Sequence, residues 1–118
     1  MGSRRATSIL LPLLTTLILG GCGEKRPDIP ATFPMEQAQA LKAQEVYYTK
    51  GCPDCHILGG MGGKMGPSLQ GIGGRHERAW VEAYIRNPQG VFRRSSMPQI
   101  PMTEAELTLI TDFLMAYR

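Results

Sequence analysis

Three side chains that can hold or react with a cofactor stand together near the middle of this 118-residue chain. They are Cys52, Cys55 and His56, in the segment C-P-D-C-H. The spacing of the cysteines places the two thiols one helical turn apart, and the imidazole follows directly. Such a set can form a dithiol redox couple, bind zinc, close a disulfide or attach haem through two thioether bonds. The spacing therefore predicts redox or cofactor chemistry at this point of the chain.

Haem attachment is the interpretation that the cysteine count favours. A thioredoxin-like dithiol needs a βαβ setting, which the sequence lacks. A zinc site needs further ligands, but there is no second cysteine pair and His76 is the only other histidine. A plain disulfide remains an alternative, although the three cysteines divide into two for thioether bonds and one for lipid. We predict one haem c, bound covalently through Cys52 and Cys55, with His56 as the proximal iron ligand.

The N-terminal segment has the features of an export signal. Arg4 and Arg5 precede an apolar run over residues 9–19, which is too short for an ordinary membrane-spanning helix. The run ends in L-G-G-C, which resembles the lipobox of bacterial lipoproteins, with Cys22 as the residue that becomes lipidated. We predict a signal peptide over residues 1–21 and a lipid anchor on Cys22, on the periplasmic side of a bacterial membrane. An ordinary signal peptide with Cys22 in a disulfide is the alternative.

The charge of the remaining chain excludes one large class of partners. Without Arg4 and Arg5, residues 22–118 hold 11 basic and 10 acidic side chains, a net charge of +1. No basic stripe is interleaved with aromatic residues, so the chain is not expected to bind nucleic acid. A charge so close to neutral also predicts weak long-range steering toward protein partners.

Two regions follow the predicted cleavage site. Residues 22–34 are polar and contain three prolines, so we predict a lipidated cysteine followed by a flexible tether. Residues 35–118 are the predicted folded domain. Its first helix is expected over residues 35–50, with an apolar stripe formed by Ala38, Leu41 and residues 46–48.

The rest of the domain is predicted to be helical but rich in loops. A short helix is expected over residues 77–86, with irregular chain over 51–74 and 87–102 and no convincing strand. Thr103 and Glu106 form a capping-box pattern at the start of the last helix. Its apolar residues have helical spacing: Leu107, Ile110, Phe113, Leu114 and Tyr117. A small domain of this kind needs a disulfide, metal or cofactor to supplement its core.

Residues 40–118 resemble the monohaem class I cytochromes c. The resemblance rests on C-P-D-C-H, on the G-P-S-L segment at 66–69, on Met97-Pro98 and on the aromatic Phe113 in the last helix. It implies the all-α class I cytochrome c fold, with three to four short helices and long loops around one covalently bound haem. It also implies that the first and last helices cross, with Tyr47 or Tyr48 near Phe113.

The resemblance implies further roles at the iron. Met97 would be the distal ligand, bound through its thioether opposite His56. Pro67 would accept a hydrogen bond from the ring N–H of His56 and so orient the imidazole. Met102, five residues beyond Met97, is the main alternative for the distal ligand, and His76 is a lesser one.

The expected function is electron transfer by a membrane-anchored protein with a single haem. With His56 and Met97 on the iron, the protein would cycle between Fe(II) and Fe(III) and pass electrons between redox protein partners. It would not be an enzyme and would take no small-molecule substrate. One alternative is the haem c subunit of a periplasmic oxidoreductase, such as a sulfur-oxidising complex. Another is a haem sensor.

Overall fold

The computed structural model describes Gly23 and residues 26–118 of the chain. Helices dominate this part, as the predicted all-α class requires, and that prediction is confirmed. The helices are α1 (Gln37–Thr49), α2 (Ile72–Arg75), α3 (Arg78–Arg86), α4 (Pro88–Val91) and α5 (Glu104–Met115). A 3₁₀ turn spans Cys52–Asp54, and a hairpin is formed by β1 (Ile57–Leu58) and β2 (Met61–Gly62).

Helix α1 buries a face built mainly from small residues. Its N-terminus is capped by Glu36, whose carboxylate accepts a hydrogen bond from the N–H of Gln39 at 3.0 Å. The buried positions have the three-to-four-residue spacing of one helix face: Ala40, Ala43, Gln44 and Tyr47. The predicted stripe through Ala38 and Leu41 was wrong, because both are exposed, Leu41 to 51%.

Helix α5 begins at the predicted capping box, which is confirmed. The Thr103 hydroxyl accepts from the N–H of Glu106 at 3.2 Å, and the Glu106 carboxylate accepts from the N–H of Thr103 at 2.7 Å. These two bonds satisfy donors that the first turn of a helix leaves free. Four of the five predicted residues are buried in α5, together with one threonine: Leu107, Ile110, Thr111, Phe113 and Leu114. The fifth, Tyr117, lies beyond the end of α5 and is half-buried.

The core lies where α1 and α3 pack against α5. Ala40 and Ala43 are fully buried, and their small side chains let the two long helices approach closely. Tyr47, not Tyr48, packs toward Phe113, with a distance of 6.2 Å between ring centroids. The crossing of the first and last helices is therefore built around an aromatic pair.

The connecting segments are more ordered than the sequence predicted. Residues 51–74 contain the hairpin and α2, and residues 87–102 contain α4, so the prediction of purely irregular chain was wrong there. Helix α4 is only four residues long and depends on Asn87, whose side chain accepts a hydrogen bond from the N–H of Gly90 at 3.1 Å. The spacing of apolar residues that predicts a helix cannot be recognised in an element of four residues or fewer.

The described part of the predicted tether, residues 26–34, lies along the domain. Ile29 in this segment is buried, and the ring of Phe33 packs against that of Phe113, with centroids 5.7 Å apart. The predicted signal peptide and Cys22 lie outside the described residues, and the predicted boundaries stay predictions. Among the helices of the described residues, none has the length and apolar character needed to cross a membrane.

Candidate cofactor site

The C-P-D-C-H segment forms one tight turn directly after α1. Cys52 opens the 3₁₀ turn, and its carbonyl accepts from the N–H groups of Cys55 at 3.3 Å and His56 at 3.1 Å. These bonds hold the two cysteines one turn apart and place His56 directly after the turn. The imidazole of His56 is buried, with 9% of the residue exposed. The predicted set of two thiols and one imidazole is thus brought together by local backbone geometry.

The orientation of the His56 ring is set by a carbonyl from a different segment. Its Nδ1 lies 2.7 Å from the carbonyl oxygen of Pro67. Since a carbonyl can only accept a hydrogen bond, Nδ1 carries the proton and Nε2 keeps its lone pair. This is how proteins commonly prepare a histidine to bind a metal through its other nitrogen.

The G-P-S-L segment forms a close-fitting cradle for this ring. The N–H of Gly66 donates to the carbonyl of Cys55 at 2.7 Å, and the N–H of Leu69 donates to the carbonyl of Ile57 at 2.9 Å. A Cβ on Gly66 would lie only 2.7 Å from Nδ1 and 3.0 Å from Nε2 of His56. This contact requires a residue without a side chain at position 66, and the G-P-S-L motif alone does not indicate it.

The Cys52 thiol does not have the character of the reactive thiol of a redox couple. Cys52 and Cys55 are both free in the structure. Burial raises the pKa of the Cys52 thiol to about 11, so this thiol is neutral near pH 7. Reactive dithiols work through a thiolate with a lowered pKa. The described residues also contain no cluster of three His, Cys, Asp or Glu side chains that could hold a metal ion.

Met97 lies in the loop between α4 and α5, which several side chains hold in place. The Gln89 amide donates to the carbonyls of Ser95 at 3.0 Å and Met97 at 2.7 Å. The N–H of Met97 donates to the hydroxyl of Ser95 at 3.3 Å, and that hydroxyl also bonds the Tyr84 hydroxyl at 2.7 Å. These supports could not be predicted from the sequence, because the types and positions of Gln89, Ser95 and Tyr84 form no recognisable pattern.

The alternatives to Met97 have other surroundings. Met102 packs against the hydrophobic core, whereas Met97 is half-buried and does not belong to that cluster. Met65, close after His56, is 84% exposed. The His76 ring stacks on Trp80 with centroids 3.8 Å apart. Met97 therefore offers a thioether that the core does not use.

The chemistry of these groups fits haem c. The motif supplies two free thiols and an imidazole with Nε2 free, and the loop supplies a thioether. The buried hydroxyl of Tyr47 has no hydrogen-bond partner among the described residues. Burial raises the pKa of Tyr47 above its ordinary value, and the nearby Cys52 adds to this effect. The site thus combines two covalent attachment points with an imidazole nitrogen that can bind iron.

Comparison with known proteins agrees with this fit. A family model described as cytochrome c matches residues 40–117. The chain is 25% identical to cytochrome c-551 of Bacillus subtilis over 108 residues, which cover 90% of each protein. It is 30% identical to cytochrome c oxidase subunit 2 of Alkalihalophilus pseudofirmus over 84 residues, covering 64% of this chain but only 25% of that subunit. No solved structure matches the chain.

Proposed function

The chain belongs to the cytochrome c family as a monohaem class I member with covalently attached haem c, and on this premise we propose that it is a membrane-anchored electron carrier with His56 and Met97 as axial ligands. The observation that carries the ligand proposal is the 2.7 Å contact between His56 Nδ1 and the Pro67 carbonyl, which leaves Nε2 available. Transfer of electrons through haem is common to the family; the ligands, the anchor and the periplasmic location are the proposed parts.

When bound, haem c supplies a one-electron couple between Fe(III) and Fe(II). Cys52 and Cys55 would hold it through thioether bonds, which prevent its loss from an exported protein. The Pro67 carbonyl keeps the imidazole of His56 oriented and makes it a stronger donor. The thioether of Met97, as a ligand, would favour the ferrous state and raise the reduction potential.

Two protein ligands on the iron would leave no open position for a substrate. We therefore propose a carrier rather than an enzyme, with electron-donating and electron-accepting proteins as its partners. The net charge of +1 on residues 22–118 implies that these partners bind through local, short-lived contacts.

Substitution of the two competing methionines tests the distal ligand. Met97→Ala is expected to lower the reduction potential and to let carbon monoxide bind to the reduced protein. Met102→Ala is the matched control, because Met102 packs on the core and should change stability more than the spectrum. If Met102→Ala alters the potential and spectrum while Met97→Ala leaves both unchanged, the ligand is Met102.

Lipidation of Cys22 is proposed as the means of attachment to the periplasmic side of a bacterial membrane. Several acyl chains on one residue give lasting attachment, whereas a single chain is marginal. The test is fractionation of cells that express the full chain. Cys22→Ser should move the cytochrome from the membrane fraction to the soluble fraction; continued recovery in the membrane fraction would refute the anchor.

A second candidate is the haem c subunit of a periplasmic oxidoreductase. The similarity to cytochrome c oxidase subunit 2 favours it, since that protein belongs by name to a larger complex. Purification in mild detergent separates the two functions. Recovery with a stable partner in fixed stoichiometry would indicate a subunit, and recovery alone would indicate a carrier.

A further inference from the structure

Residues 26–34, here called the N-terminal strap, are bound to the domain at both ends. At the end nearer α1, the Phe33 ring lies 5.7 Å from Phe113 and 5.1 Å from Tyr117, measured between centroids. Both partners belong to the C-terminal part of the domain, and Phe113 stands at the helix crossing. In the middle of the strap, Ile29 is buried with 9% exposed.

The other end of the strap is held by polar and stacking contacts. The carbonyl of Pro27 accepts a hydrogen bond of 2.6 Å from the buried amide of Gln44. The Pro27 ring lies against the turn of the β1–β2 hairpin, where a Cβ on Gly59 would be 3.1 Å from it. The Arg26 guanidinium sits 4.9 Å above the ring of Tyr48. The chain therefore leaves the domain at one defined place, beside Tyr48 and the hairpin.

The composition of the strap favours this ordered state. Its three prolines restrict the backbone before folding, so less conformational entropy is lost on docking. The N–H of Phe33 donates to the carbonyl of Pro30 at 2.9 Å, which forms a local turn. A polar, proline-containing segment can thus form part of a folded surface instead of a free linker.

We infer that the strap holds the domain close to the membrane, with the hairpin end nearest the bilayer, so that its partners are membrane-bound proteins with redox groups near that surface. The inference rests on the proposed lipid anchor at Cys22. With the strap docked, only the four steps from Cys22 to Arg26 set the reach, at most roughly 14 Å. A free tether up to Met35 would reach roughly 47 Å, about three times as far.

Energy transfer from a lipid headgroup dye to haem measures this separation. The lipidated holoprotein is placed in phosphatidylethanolamine and phosphatidylglycerol vesicles that contain a small fraction of headgroup-labelled lipid. Ile29→Ser/Phe33→Ser removes the two apolar contacts of the strap, and Leu41→Ser/Val91→Ser removes two exposed apolar side chains as a matched control. We expect the first variant to lose most of the quenching, and the control to quench like the wild type.

A second variant keeps the test decisive if the first does not fold. A glycine-serine insertion as long as the strap, placed after Gly23, leaves every strap contact intact. It lengthens a docked chain's reach about threefold, from roughly 14 to roughly 47 Å, so a large loss of quenching is expected. If the tether of the wild type were free, its reach would already be long and the insertion would change the quenching little. A nearly unchanged quenching signal would therefore overturn the inference. The inference would also be overturned if Ile29→Ser/Phe33→Ser folded and quenched as much as the wild type.

Failure of the lipid anchor gives a different result. If the wild-type protein does not float with the vesicles, the anchor at Cys22 is refuted, and the membrane inference with it. If the wild-type protein floats with the vesicles but both strap variants quench as much as it does, the anchor is supported and only the strap inference is overturned. The visible spectrum of each variant shows whether the haem site is intact.

Discussion

Replacement of Gly66 by alanine should disturb the His56 imidazole directly, because the added methyl group would meet the ring itself. The new Cβ would lie 2.7 Å from Nδ1 of the ring. The ring atom Cε1 would lie closer still. Since contacts between non-bonded heavy atoms are comfortable from about 3.5 Å, the ring or the loop must move by more than roughly 0.8 Å. That displacement is enough to lengthen the 2.7 Å hydrogen bond to Pro67 beyond its normal range.

The expected cost follows from that bond. Loss of a buried hydrogen bond with one partner left unsatisfied destabilises a protein by about 1–3 kcal/mol. The ring would also lose the contact that orients it, so the bond between imidazole and iron should become easier to break. We expect Gly66→Ala to lower the midpoint of denaturant unfolding and to let carbon monoxide bind to the reduced holoprotein.

Gly74→Ala is the matched control for this experiment. A Cβ at Gly74 would meet only the Cα of Arg118, at 4.0 Å, which is an ordinary contact. It lies in α2, where alanine is better accommodated than glycine. Unfolding curves followed by visible absorption, with and without carbon monoxide, compare the two variants. Equal unfolding midpoints for Gly66→Ala and Gly74→Ala, with neither variant binding carbon monoxide, would show that the close approach of Gly66 does not hold the His56 ring.

Three further substitutions test other parts of the account. Gln89→Ala removes the amide that supports the Met97 loop, so carbon monoxide titration should show tighter binding to the reduced protein than in the wild type; unchanged binding would contradict this. Tyr47→Phe removes a buried hydroxyl without a partner among the described residues and should raise the free energy of unfolding by about 1 kcal/mol in denaturant titrations; a loss would show that the hydroxyl is used. A hydrogen bond from the N–H of Thr103, and next one from Lys50, lowers the pKa of the Glu106 carboxyl. The ionised carboxylate therefore contributes fully to stability above the ordinary pKa of glutamate, and this contribution is lost as the pH falls through the lowered pKa. Glu106→Gln should therefore be less stable than the wild type at neutral pH and equal to it in strong acid, as unfolding curves at both pH values would show; a difference that persists in acid would argue against the linkage.

Short-range patterns made the cofactor motif and the last helix predictable. The spacing of Cys52, Cys55 and His56 determines one turn of backbone, and the structure forms that turn. The capping box at Thr103 likewise involves atoms only three residues apart. In both cases the residues that interact are neighbours in the chain, so their types and spacing contain most of the information.

The contacts that could not be predicted join distant parts of the chain. Gln44 is polar, and the partner of its buried amide is the Pro27 carbonyl, 17 residues away. Ala40 and Ala43 are weakly hydrophobic, so the buried face of α1 was placed on Leu41 instead. Helix packing, rather than hydrophobicity along the chain, determines which side of α1 is buried.

Amino-acid composition does not predict that the strap packs against the domain. Polar residues and prolines predict a linker in most sequences. Here Phe33 packs against the cluster of the Phe113 and Tyr117 rings, and Ile29 is buried, so two apolar residues contribute to attaching the segment. The cluster forms only when α1 and α5 cross, so its capacity to bind the strap is a property of the folded domain.

The most direct test of the central claim is the visible spectrum of the reduced holoprotein before and after addition of carbon monoxide. Two protein ligands on the iron, His56 and Met97, predict a low-spin spectrum that carbon monoxide does not change. A clear shift on addition of carbon monoxide would contradict the closed electron carrier and indicate an open or easily opened iron site. Expression with a c-type maturation system that gives no haem absorption would contradict the assignment of the cofactor itself.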